Sequence, residues 1–148
     1  MSARMQHFWV RFPEIGPAET RCADLTAASG TLPAGNYAFA ELYCLDPNCD
    51  CRRVVIQVLE KSDPHKVWAT INFGWEPKAF YEAKFSWDKS AADEITAASL
   101  DPLNAQSPGA NEVLIIFRDI VAQDREYVKR IERHYWMFKG TVLAGKRR

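Results

Sequence analysis

Three cysteines fall within eight residues in Tyr43-Cys-Leu-Asp-Pro-Asn-Cys-Asp-Cys-Arg-Arg53, spelling C-x4-C-x-C. Cys44 closes one run of strand character and Cys51 opens the next, with Asp-Pro-Asn between them as turn chemistry. If the two runs pair as a hairpin, Cys44 and Cys51 are neighbours across its mouth. Cys49 precedes Cys51 by two residues, and positions i and i+2 of extended backbone share a face. Three sulfurs then gather at one end of a sheet. Convergent thiols are a start toward Zn²⁺, which takes four ligands at ~2.0–2.3 Å in a tetrahedron. The spacing differs from the common zinc fingers, whose paired cysteines have two or more residues between them.

A fourth ligand has to come from elsewhere in the chain. Cys22 is the first candidate, because it completes a Cys₄ set. His134 is the alternative: it borders the apolar face of the last expected helix and should point toward the sheet. Each has a plainer reading, Cys22 as a small buried apolar residue and His134 as an imidazole hydrogen-bonded at the core edge. Arg52 and Arg53 follow the hairpin cysteines, where one of them would neutralise a multi-thiolate metal from its second shell. The same arginines would lower the pKa of Cys49 and Cys51 if these act as redox or nucleophilic thiols. Asp46 and Asp50 lie inside the loop, to cap the turn or to serve as acid or base.

The elements that must position these residues read as strands first and helices second, an α+β pattern. A short aromatic run, His7–Phe12, is an expected edge strand stopped by Pro13. Residues 13–36 are rich in Pro, Gly, Ala, Thr and Ser and read as an irregular connection, with one helical turn around Glu19–Ala27. Asn36–Cys44, Cys51–Glu60 and Val67–Phe73 alternate or are β-branched, giving an antiparallel meander of three or four strands. Three or four helices then pack on one face: Pro77–Phe85, Asp88–Ala98, one begun by Ser107-Pro108, and one capped by Asp124 and stopped at Gly140. The chain reads as one domain over 1–148, with residues 141–148 a flexible tail.

Nineteen basic and nineteen acidic residues cancel, which removes the global field of a dedicated nucleic-acid binder. The balance is uneven, however. Lys129, Arg130, Arg133, Lys139, Lys146, Arg147 and Arg148 against Glu132 give +6 over residues 129–148, and so −6 before them. That segment is a basic helix end with a solvated tail, or else a docking patch for an acidic partner or a phosphate backbone. No run approaches the ~20 apolar residues of a membrane span. No signal peptide is read in the first residues, so a cytoplasmic chain with reduced cysteines is expected. There is no Gly-rich phosphate loop, G-x-S-x-G, H-E-x-x-H or dinucleotide fingerprint, and the three histidines are scattered.

Taken together, Tyr43–Arg53, Leu100-Asp-Pro-Leu-Asn104 and Tyr127-Val-Lys-Arg-Ile-Glu-Arg-His-Tyr135 resemble an uncharacterised family of small bacterial cytoplasmic proteins. The resemblance spans about residues 36–138. It implies a cytoplasmic domain with no assigned activity and adds weight to His134, which lies in one of its motifs. The expected function is a binding module for a protein partner, organised by a structural zinc and not an enzyme. A thiol-based redox protein using Cys49 and Cys51 is the alternative. Weak nucleic-acid binding through the basic C-terminal region is the third.

Overall fold

Alternation of side chains along the chain builds one antiparallel sheet. The computed structural model describes residues 4–146, in the order β1 (Met5–His7), α1 (Phe8–Arg11), α2 (Gly16–Glu19), β2 (Cys22–Leu25), β3 (Gly35–Cys44), β4 (Arg53–Glu60) and β5 (Asp63–Gly74). There follow α3 (Lys78–Lys84), α4 (Ala91–Ala97), β6 (Ser99–Leu100), α5 (Ala110–Ile116), a π-helical turn at Phe117–Val121, and α6 (Arg125–Lys146). The sheet has six strands in the order β1-β3-β4-β5-β6, with β2 also paired to β3. The α+β class and the central meander are those expected, and three short strands extend them.

The two faces of the sheet differ because alternate residues differ. Tyr37, Phe39, Tyr43, Val54, Ile56, Val58, Ile71 and Phe73 are buried in one core with Val113, Phe117, Tyr127, Ile131 and Phe138 from the helices. The opposite face carries Leu42, Val55, Gln57, Thr70 and Asn72 along the floor of an open cleft. A smaller cluster of Tyr81, Ala92 and Ile95 joins α3 to α4 at the end of β5. A Cβ at Gly74 would collide with the Tyr81 hydroxyl and with Ile95, so glycine is what lets this pair of helices close on the strand.

Several elements depart from their expected bounds. The expected strand His7–Phe12 becomes a strand that ends at His7 and a helical turn. That turn places Phe8 and Phe12 four residues apart on one face, where their rings stack at 4.7 Å. Within residues 13–36 the helical turn falls at Gly16–Glu19, with Pro17 in its first turn, and Cys22–Leu25 is extended because it pairs with Gly35–Ala38. Gly140 does not stop the last helix. Its apolar stripe continues to buried Val142, while glycine in a helix interior costs only about 1 kcal/mol. Residues 141–146 of the expected tail are therefore helical, and residues 147–148 lie outside the described ones. Among the described residues no helix is long and apolar enough to cross a membrane.

Candidate functional site

The β3–β4 hairpin brings Cys44, Cys49 and Cys51 together. Cys44 and Cys51 are buried, Cys49 is half-buried, and all three are free thiols. The three thiols lie close enough to shift one another's ionisation. The Asp46 backbone N–H also donates to Cys44 Sγ at 3.4 Å.

Helices pin this loop from outside. The buried Lys139 ammonium of α6 donates to the Asp46 carbonyl at 3.1 Å and to the Cys49 carbonyl. The Tyr135 hydroxyl, one turn earlier, accepts the Arg52 N–H and donates to Asp50 Oδ1, each at 3.3 Å. Arg52 has φ 46°, a left-handed conformation that costs a non-glycine residue roughly 1–2 kcal/mol. Its neighbours hold it there. The guanidinium meets Asp50 at 3.0 and 3.1 Å and lies over the Phe80 and Trp136 rings, and its carbonyl accepts the Tyr81 O–H at 2.6 Å.

These contacts make the three thiols unequal. The neighbouring Cys51 lowers the Cys44 thiol below its ordinary range, against the opposing effect of burial. Cys44 in turn raises Cys51. Cys49 is raised further, first by Cys51 and then by burial. One sulfur in three is thus disposed to ionise. The charge of Arg53 acts to lower Cys51, whereas Arg52 is turned to Asp50 and Glu76.

The two expected fourth ligands lie elsewhere. Cys22 stands opposite Ala38, six positions along β3 from Cys44, which is about 20 Å at a strand's rise per residue. His134 points under the sheet as expected, but its Nδ1 meets Glu41 Oε1 and its Nε2 meets Glu19 Oε1, both at 2.7 Å. Its ring stacks on Phe8 at 4.0 Å, and the Tyr43 hydroxyl lies 2.6 Å from Glu41 Oε1. Both imidazole nitrogens are therefore engaged. Among the described residues no group of three or more His, Cys, Asp or Glu is arranged to hold a metal ion as it stands.

Glu41 and Glu19 were absent from the expected site residues. Alternation does place Glu41 on the aromatic face with Tyr37, Phe39 and Tyr43, where a carboxylate requires a partner. The basic C-terminal segment is also partly engaged. Arg133 pairs with Glu19 at 2.8 Å, Arg130 donates to the Glu19 carbonyl at 3.1 Å, and Lys139 is buried under the cysteine loop. Arg147 and Arg148 lie outside the described residues.

No family model, curated protein or solved structure matches the chain.

Proposed function

We propose that the hairpin mouth is a three-thiolate site for Zn²⁺, and that the domain it organises is a binding module for a protein partner. The supporting observation is the contact of three thiols in one loop that α6 and α3 hold from outside. A zinc ion there would take the place of the thiol protons. Because two of the three thiols have raised pKa values, binding would release protons and strengthen steeply with pH. With Cys22 distant and His134 engaged, the fourth position falls to water or to an incoming donor.

Elemental analysis with thiol titration tests this, on protein purified without a His tag or added metal. One zinc per chain, with three thiols masked until chelation, is the expected result. Cys22→Ser and His134→Gln should leave the zinc content unchanged. No metal and four freely reactive thiols would overturn the reading.

The Asp46 N–H on Cys44 Sγ, together with the lowered Cys44 thiol, favours a second reading, thiol chemistry, with Cys44 as the nucleophile in place of the expected Cys49 and Cys51 pair. Alkylation of the metal-free protein would then label Cys44 at lower pH than the other two. Labelling of all three at the rate and pH of an ordinary thiol would remove it.

A further inference from the structure

The face of the sheet turned away from the core carries a second site. A cleft of about 590 Å³ lies over β3, β4 and β5, walled by the α3–α4 connection and by the loop after β6. That volume lies within the range of small-molecule sites. Its floor is apolar at Leu42 and Val55, and its rim holds Trp87 and Leu103, which are 78 % and 77 % exposed.

Two polar groups of the cleft, Arg53 and Asn72, have unfilled valence. Among the described residues the Arg53 side chain makes no hydrogen bond and no ion pair, and its Nε is buried. Its guanidinium rests on the Phe85 ring at 5.8 Å, and Phe85 in turn meets Trp87 edge-on at 5.5 Å. Asn72 donates to Asp101 at 3.2 Å while its own Oδ1 is buried without a partner. Asp88, which accepts from Ser90, and Asp101, which accepts from Leu103 and Asn72, line the same cleft, and among the described residues neither pairs with a cation. One cation and two carboxylates thus share a cleft without meeting one another. The half-buried Arg53 guanidinium and the unpaired Asn72 Oδ1 gain most from a ligand that supplies matching polar groups.

We propose that this cleft binds a small zwitterion with an apolar side chain, of which a free amino acid is the simplest member. The carboxylate lies on Arg53, where a planar fork of donors can take it bidentately. The ammonium lies toward Asp88 and Asp101, and the side chain packs on Val55 and Leu42 under Trp87. A simple anion fits less well, because two carboxylates line the walls. A simple cation leaves Arg53 unmatched.

The test is a ¹H–¹⁵N NMR titration of the full chain, as purified, with L-leucine, N-acetyl-L-leucine and L-leucinamide at millimolar concentration. The expected result is saturable shifts for L-leucine at Arg53, Asn72, the Trp87 indole, Asp101, Leu103 and Asn104. Each blocked form, lacking one charge, should bind at least about tenfold more weakly. Arg53→Gln should lose a similar factor at an unchanged melting temperature. Trp87→Ala, at an exposed position that the fold does not need, should weaken binding by less. Absence of saturable shifts, equal binding of the blocked forms, or Arg53→Gln binding like the parent would each overturn the proposal.

Discussion

His134 and Tyr135 are neighbours on α6, yet they belong to two polar clusters of opposite design. Around His134 each ring nitrogen meets a carboxylate oxygen at 2.7 Å, the Tyr43 hydroxyl closes on Glu41, and Phe8 covers the ring. Around Tyr135 the polar atoms that matter are sulfurs, three free thiols whose ionisation each neighbour shifts. The first cluster is complete, and any change leaves a buried group unmatched. The second holds three free thiols in a loop fixed by Lys139, Arg52 and Tyr81. Burial and polarity are common to both, so these alone do not mark a functional site. Spare valence does.

The sharpest way to break this comparison is His134→Ala. It leaves Glu41 buried without its imidazole hydrogen bond and opens a cavity under Phe8, which together cost about 3 kcal/mol or more. Urea unfolding should show that loss without a change in zinc content. A loss under about 1 kcal/mol, the size of an exposed pair, would mean that the cluster is not the closed structural unit described.

Next in size is Cys51→Ser. In metal-bound protein it should lower stability by several kcal/mol, as loss of a structural metal does. After chelation the parent and the variant should unfold within about 1 kcal/mol of each other, because only the exchange of one sulfur for an oxygen then separates them. Thermal melts with and without chelator check this. Two curves separated by the same amount in both conditions would place the effect in packing.

Much of this arrangement was legible in the sequence, for physical reasons. The meander was readable because Asn36–Cys44 and Val54–Leu59 carry strong alternation or β-branched runs. The gathering of three thiols followed from the turn and from the period of two. Cys22 was not placeable, because β2 has only four residues and its register on β3 is set by tertiary pairing. His134 was correctly aimed at the sheet, but its partners come from 93 and 115 residues away. The helical turn at Phe8 was hidden for a related reason. Its aromatic run reads equally as strand or helix until the stacking on His134 and Phe12 is known.

A smaller effect is expected from Gly74→Ala, which acts on the cysteine loop from a distance. The added methyl group meets Tyr81 and Ile95, and overpacking of that kind costs about 1–3 kcal/mol. Because the Tyr81 hydroxyl holds the Arg52 carbonyl, the displaced ring should also loosen the loop. Proton exchange at the Arg52 and Cys51 amides should accelerate, while amides near His134 stay protected. Equal acceleration at both clusters would show that they are one cooperative unit.

The smallest effect uses acid to compare the two clusters. The Glu19 carboxyl is held below its ordinary value of 4.5, chiefly by its hydrogen bond to His134. Asp50 is held below its ordinary value of 3.8, chiefly by Arg52. A carboxyl lowered in the folded state stabilises it fully above the ordinary value and loses that contribution as pH falls through the lowered one. Parent stability should therefore decline from about pH 5 downward, and Glu19→Gln and Asp50→Asn should each flatten part of that decline. Both groups are partly exposed, so each contribution should be a few tenths of a kcal/mol to about 1 kcal/mol and should shrink with salt. Glu19 touches the buried ring of His134, whereas Asp50 faces an arginine at the surface. The Glu19→Gln difference should therefore persist at a salt concentration that erases the Asp50→Asn difference. If salt erased both equally, the His134 cluster would be as open to solvent at its Glu19 end as the hairpin is at Asp50, and its closure would rest on Glu41 alone.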